Sequence, residues 1–250
     1  MSLRTFLELS YQMGVAEFHA KNEGSYLGIF WYLLSPLLMF LSLWLIFFDR
    51  IGQSIPSYPG YLLLGIVLFS FFQDITTKSI RLMRNQYQLI TSINFNKATL
   101  VLSAVITQLL SHFFELFLLV IIFSIFGISP VGLLLYLPLI FLFAAFTYGF
   151  SLLLVSLGSY FKDLDNIWVF FTRLLWFVTP IFYSFEGQKR LFILNQFNPV
   201  YHFISVAREM TLYAHLPLLS VLLIIILTII SIVIGTLLFN RSKYRFAEVA

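Results

Sequence analysis

No cysteine occurs among the 250 residues, which excludes disulfides, thiolate metal sites and cysteine nucleophiles together and leaves redox chemistry without a centre. Charge is almost as scarce. Asp, Glu, Lys and Arg make up 10% of the chain, against about 25% in a soluble domain. No polar stretch is long enough to build a soluble catalytic domain beside the apolar segments. Signatures of catalysis and energy conversion are missing too: there is no G-x-x-x-x-G-K-[ST] loop, no H-E-x-x-H and no G-x-S-x-G. The chain therefore holds no ATP site of its own, and neither a catalytic residue nor a metal ligand is assigned. The absence of a repeat with paired broken helices lowers the case for a secondary transporter of inverted-repeat design.

What the sequence does contain is hydrocarbon: 60% hydrophobic residues and 19% aromatics, with a mean hydropathy of +0.94. A helix rises about 1.5 Å per residue and needs about 20 apolar residues to cross the hydrocarbon of a bilayer. Six long apolar runs answer to that, at 29–48, 61–77, 98–126, 131–160, 166–184 and 216–240. They are continuously apolar and lack the period of two of barrel strands. The expected fold is all-α and integral to the membrane, one transmembrane domain over 1–250 with six helices.

Formal net charge is +4 with a pI near 9.3, but the basic residues fall between spans, as topology demands, and no nucleic acid is implied. With the N-terminus inside, Arg4, Lys21, Lys78, Arg81, Arg84, Lys97, Lys162, Arg241, Lys243 and Arg245 are inside. Arg50, Lys189, Arg190 and Arg208 are then outside, so the bias places both termini in the cytoplasm. The first twenty residues carry Arg4, Glu8 and Glu17 without an apolar core, unlike a signal peptide.

Three segments outside the runs are structured by their spacing. In 2–22, Leu3, Phe6, Leu7, Met13, Gly14 and Phe18 share a helical face opposite Arg4, Glu8, Gln12 and His19, which predicts an amphipathic helix flat on the inner surface. It either seats the first span or borders a substrate entrance. In 78–97, Arg81, Arg84, Asn85 and Gln88 recur at three and four, giving a polar, basic helical face that is either a docking element or a solvated loop that sets topology. In 185–215, Phe192, Ile193, Leu194, Phe197, Tyr201, Phe203, Ile204 and Val206 suggest short helices in the outer leaflet, broken at Asn198-Pro199.

Within the spans, His112, Glu115 and Arg173 are the polar candidates and must face protein or water. A structural ion pair between Glu115 and Arg173 is preferred to a proton relay. Thirty Phe, thirteen Tyr and four Trp exceed what interfacial belts require. Most serve packing or lipid contact, and a minority could line a path along which a sugar slides on its C–H faces.

The run from Lys21 to Trp31 (KNEGSYLGIFW), followed by Pro36-Leu37, resembles the opening of the membrane subunits of type-two ABC exporters, roughly r-y-x-x-S-x-L-G-x-x-W…P-L. Further stretches agree in order. Arg84-Asn85 with Leu89-Ile90 and Phe95 looks like the family's coupling helix, and Phe161-Lys162-Asp163-Leu164 like its f-R-D-L turn. Thr179-Pro180-Ile181-Phe182-Tyr183 is similar to S-P-I-f-Y, and Asn198-Pro199 with Arg208 to the outer N-P…R segment. Asn96 stands where the family has proline, and Lys162 where it has arginine. Within the family the chain is most similar to the Wzm permeases of O-antigen polysaccharide export, with capsule and teichoic-acid exporter subunits close by.

The resemblance implies an interface helix and entry loop over 1–28, spans one to five with a coupling helix over 29–184, outer re-entrant helices over 185–215, and a sixth span and cytosolic tail over 216–250. It implies a permease of the inner membrane that is not itself an enzyme and has no cofactor of its own. A second copy of the chain forms a homodimer, and two ABC ATPase subunits hold the ATP and Mg. The cargo is a polyprenyl-diphosphate-linked glycan. Arg81, Arg84, Asn85 and Gln88 are expected to dock the ATPase, and Arg4, Lys21, Leu27 and Gly28 to border the lipid-linked substrate's entrance. Phe30, Trp31, Tyr148, Trp168, Phe182 and Tyr183 are the candidate channel aromatics. An exporter of teichoic acid, capsule, drug or lipid stays open. So does a different class, a proton-coupled carrier or flippase relaying through Glu115, His112 and Arg173.

Overall fold

The computed structural model describes residues 2–23, 26–85, 95–161, 163–185 and 187–242, the side chains of Met83 and Arg84 excepted. Among them are nine α-helices and no strand: α1 Leu3–Asn22, α2 Trp31–Phe47, α3 Tyr58–Asn85, α4 Ala98–Ile125, α5 Leu133–Gly158, α6 Leu164–Val178, α7 Lys189–Gln196, α8 Pro199–Leu212 and α9 Leu218–Ser242. Five are long and apolar enough to cross a membrane: α2 with the 3₁₀ turn before it, α3, α4, α5 and α9. These match five of the six runs expected from hydropathy.

Helix α3 is the axis of the bundle. Leu62, Leu63, Leu64, Val67, Leu68, Phe69, Phe71 and Phe72 are all buried on it, so over this stretch the helix is apolar and covered by protein on most of its circumference. It touches α2, α4, α5, α6 and α8. Helix α9 lies at the other extreme, more apolar than α3 yet with Leu219, Leu222, Ile226 and Ile229 exposed. That face suits lipid, since nothing polar on it calls for water.

Helix α9 is held to α5 by backbone-to-backbone approach. A Cβ on Gly235 would lie 2.0 Å from the carbonyl oxygen of Gly149, and one on Gly149 would lie 2.5 Å from the amide nitrogen of Ile232. Small residues permit such a crossing in lipid, where apolar helices gain nothing by leaving the tails for one another. Ser231 adds a hydrogen bond to the Phe146 carbonyl at 2.9 Å.

The amphipathic N-terminal helix forms as expected, capped by the Ser2 hydroxyl on Thr5 N–H. Its packing differs from the expectation of a helix flat on a surface. Successive residues climb α4: Phe6 joins the cluster of Ala98, Leu100 and Val101, Gly14 meets Ile106 and accepts a 3.0 Å bond from Thr107, and Phe18 stacks on Phe114. Its residue 14 is a glycine because a Cβ there would lie 2.9 Å from Ile106. The helix thus runs beside the first half of α4 and delivers Lys21 to the bundle.

The fifth apolar run, 166–184, is helical only as far as Val178. Thr179 precedes proline and takes an extended conformation, because the Pro180 ring disfavours helix at the residue before it. At one end Asp165 pairs with Arg81 at 2.9 Å. At the other, Tyr61 Oη bonds the carbonyl of Tyr183 at 2.9 Å. Residues 165–183 therefore run antiparallel along the stretch of α3 from Arg81 to Tyr61, which is about 30 Å of helix.

The exposed polar backbone of that break is clothed by side chains. Tyr58 Oη donates to the Phe182 carbonyl at 2.9 Å, and Asn195 donates to Val178 O at 2.8 Å. Arg208, on α8 and 4% exposed, donates to Pro180 O at 2.7 Å, Ile181 O at 3.0 Å, and twice to Tyr61 O at 2.9 and 3.1 Å. Its guanidinium stacks 3.3 Å over the Tyr61 ring. Non-helical backbone at membrane depth persists only where protein satisfies it. The expected interruption at Asn198-Pro199 is present: Asn198 caps α8 through Val200 N–H and Pro199 takes the first helical position.

Candidate functional site: a polar cavity walled by apolar helices

Two adjoining cavities open along one side of α3. The first, about 860 Å³, lies between α2, α3, α4 and α6 and is lined by Trp31, Tyr32, Ser35, Ser42, Ser70, Gln73, Asp74, Gln108, Glu115 and Trp176 among others. The second, about 720 Å³, continues toward the C-terminal end of α3 and is lined by Glu17, Lys21, Lys78, Arg81, Asn85 and Arg173 among others. Lys21, Gln73, Asp74 and Gln108 line both, so the two are stages of one groove. Three serines, two amides and two carboxylates on hydrocarbon-length helices are costly unless water or a polar ligand meets them.

Charge is segregated along this groove. Around the second cavity are four cations, Lys21, Lys78, Arg81 and Arg173, against Glu17 and Asp74. Lys78 and Glu17 are 2.8 Å apart and tie α1 to α3. Arg81 reaches both oxygens of Asp165, at 2.9 and 3.1 Å, and ties α3 to the first turn of α6. Lys21 sits 4.9 Å above the Tyr32 ring, which forms a mutually contacting trio with Phe18 and Phe114. Asp74 is open to the groove and receives a hydrogen bond from Gln108 at 3.3 Å.

Of the entrance residues expected from sequence, Lys21 and Gly28 line the cavity. Gly28 takes φ +45° at the turn into α2, a left-handed conformation that favours glycine. Leu27 precedes that turn and is exposed. Arg4 is elsewhere: it is bonded to Glu8 at 2.7 Å at the far end of α1, with its side chain 88% exposed. Arg81 and Asn85 belong to the last turns of α3 and line the inner cavity. The Arg84 side chain and Gln88 lie outside the described residues.

The candidate channel aromatics divide. Trp31 lines the cavity, and Phe30 is exposed in the turn before it. Phe182 stacks on Phe47 at 4.7 Å and on Trp176 at 5.5 Å, joining the break to α2. The other three are corrected as lining residues of this groove. Trp168 is buried, bonds Thr76 Oγ1 through its indole N–H at 3.0 Å, and packs on Phe72 and Phe150. Tyr183 is buried and donates to Val178 O at 2.6 Å. Tyr148 faces a separate crevice with Leu152, Thr236 and Phe239.

The expected Glu115–Arg173 pair is likewise corrected. Glu115 bonds His112 Nδ1 at 2.7 Å, and His112 Nε2 bonds the Tyr136 hydroxyl at 2.9 Å. This arrangement satisfies both imidazole nitrogens in the core, since burying a partnerless polar group is costly. Arg173 is exposed on α6, where it lines the inner cavity.

Asp74, Gln73, Gln108, Tyr32 and Trp176 were not singled out from sequence. A carboxylate and amides inside apolar runs are themselves the signal, because lipid does not tolerate them. Asn96, which stands before the N-cap Lys97 of α4, accepts from Ala98 N–H at 3.1 Å and so supplies a partner to the first amide of that helix.

Apolar membrane-length helices around a polar groove define a multi-pass membrane protein of the permease class. Residues 11–212 match the family described as ABC-2 type transporter, and the chain belongs to that family. It is similar to O-antigen export system permease proteins RfbA. One from Klebsiella pneumoniae is 27% identical over 233 residues, covering 92% of this chain and 90% of that protein. A second from Klebsiella pneumoniae is 25% identical over the whole of both chains, and one from Myxococcus xanthus is 25% identical over 74% of this chain and 72% of its own.

Proposed function

We propose that this chain is the membrane-spanning permease subunit of an ABC exporter that moves a polyprenyl-diphosphate-linked polysaccharide, such as O antigen, across the inner membrane. Two copies form the path, and two ATPase subunits on the cytoplasmic side drive it. The observation that carries the reading is the segregated groove. Four cations gather at the end where α3 leaves the bundle, which suits a diphosphate. Beyond them the wall turns to hydroxyls, amides and tryptophans, which suits a polyhydroxyl chain that cannot be desolvated in lipid. Helix α6 with its break makes the sixth crossing, because it follows about 30 Å of α3. Six crossings return both termini to the cytoplasm, in line with the basic residues.

Affinity purification of the chain from its native host in mild detergent tests this reading. Stoichiometric recovery of a P-loop ATPase whose hydrolysis responds to lipid-linked glycan is expected. Recovery of the chain alone, with vesicle transport that follows the proton gradient and ignores ATP, overturns it. In the same assay Lys21→Gln combined with Arg173→Gln should slow export about tenfold, as loss of charge-assisted bonds predicts. Arg4→Gln, which removes only an exposed pair, should leave export unchanged.

The Arg81–Asp165 bond joins the helix that leads into the coupling segment to the helix that ends in the break. Arg81→Asp should therefore lower the number of glycans exported per ATP, and the exchange Arg81→Asp with Asp165→Arg should restore much of it. Failure of the exchange to recover more than either single variant assigns Arg81 to ATPase docking instead.

A further inference from the structure

We propose that Asp74 makes the path selective by charge, admitting uncharged polyhydroxyl chain beyond the cationic mouth and disfavouring acidic glycans. This rests on the glycan reading above and names the class of polymer. Along the groove the sign of the wall changes. Lys78, Arg81 and Arg173 line only the inner cavity. Past them the acidic and basic groups on the wall are Asp74, Glu115 and Lys21; Asp74 and Lys21 stand at the junction, lining the mouth as well.

The charged groups around Asp74 come from four helices. Lys21 and Glu17 stand on α1, Lys78 and Arg81 on α3 and Glu115 on α4, and α6 adds Arg173 along the same wall. Lys78 is spent on Glu17 at 2.8 Å, so its charge is offset locally. Asp74 is not consumed in an ion pair of that kind among the described residues. It accepts one bond, from Gln108 at 3.3 Å, and keeps lone pairs turned to the groove. A neutral sugar presents hydroxyl donors to such acceptors and a C–H face to Trp31 and Trp176. A uronate or phosphate-bearing sugar brings a second anion within several ångströms of Asp74, in a space walled by hydrocarbon where repulsion is poorly screened. The diphosphate of the carrier is then retained at the mouth, and the polymer that enters is the part without charge.

The test uses the purified chain in lipid nanodiscs and reads quenching of tryptophan fluorescence, since Trp31 and Trp176 report from the wall. The probes are a neutral mannose oligosaccharide and an oligogalacturonate of equal length. The neutral probe should bind about tenfold more tightly than the acidic one at moderate salt. Asp74→Asn keeps hydrogen-bonding capacity but removes the charge, so it should bring the two affinities together mainly by improving the acidic one. Asp74→Glu should keep the difference. Equal binding of both probes by the native chain overturns charge selection and leaves the glycan path standing. Binding of neither probe overturns the glycan reading of the groove and the selectivity with it. Asp74→Asn serves as evidence when its neutral-probe affinity is native. If that variant does not fold, the comparison of probes on the native chain decides.

Discussion

Arg208→Leu should destabilise the protein more than loss of any other single polar side chain described above. The substitution deletes donors to Pro180 O and Ile181 O, both on backbone outside any helix, and two bonds to Tyr61 O. Ile181 O loses its donor outright, Pro180 O keeps only a 3.3 Å bond from Tyr61 Oη, and each buried carbonyl left without a partner costs about 1–3 kcal/mol. A loss of about 2–3 kcal/mol is expected, read as a large fall in detergent melting temperature or as failure to elute as a single species. Arg208→Lys keeps the charge but has no planar fork with which to span α3 and the break at once. It should fall between the two. If Arg208→Leu melts with the native chain, the break is held by Tyr58, Tyr61 and the asparagines alone.

The same residue shows why part of the fold was legible and part was not. Five crossing helices follow from apolar length alone, because the bilayer fixes how many residues a span needs. The fifth run was read as one more such helix on composition. Its Thr179-Pro180 pair disfavours helix, but the local rule does not say that the chain then runs beside the first turns of α3. That outcome depends on Arg208, Tyr58, Tyr61 and Asn195, which arrive from 15 to over 100 residues away in sequence. Arg208 was counted from sequence as an outside topological charge and matched to the family's outer N-P…R segment, with no role in clamping the break. In the fold it is a buried backbone clamp.

The site was legible by residue type more than by partner. His112 and Glu115 are legible as polar groups that must face protein or water, yet the partner expected for Glu115 is an arginine on another span. The partner found is one helical turn away, at 2.7 Å, a spacing that places both side chains on one face. Asp74 was passed over inside an apolar run, although a carboxylate there is a stronger pointer than any of the aromatics. Helical periodicity could not sort the aromatics. Along the first four turns of α3 the apolar residues run all round the helix, and whether a ring meets a groove or a neighbour is decided by which helices are missing beside it. Trp168 meets α3 and α5, whereas Trp31 and Trp176 meet open space.

Gly235→Leu should abolish assembly of α9 onto the bundle, and Gly235→Ala should already weaken it by several kcal/mol. A Cβ at this position would lie 2.0 Å from the Gly149 carbonyl oxygen, and that atom is backbone and cannot rotate away. The helices must separate by more than 1 Å, on the order of the shortfall from van der Waals contact. Separation also lengthens the bond from Ser231 to Phe146 O, now 2.9 Å, and lipid offers no hydrophobic gain to hold the pair together. Gly149→Ala should behave alike, since its Cβ would meet the backbone of Ser231 and Ile232 at 2.5–2.7 Å. Gly158→Ala is the control on the same helix. Its nearest neighbours would be side-chain atoms at 3.8 and 3.9 Å, and alanine is favoured over glycine within a helix by about 1 kcal/mol. It should be neutral or slightly stabilising in the same melting assay. Protease access to the loop before α9 supplies a second readout that follows α9 itself. If Gly235→Leu leaves both the melting temperature and the cleavage rate native, then α9 is not held at the Gly149 crossing, and the side of the bundle opposite the groove is built differently.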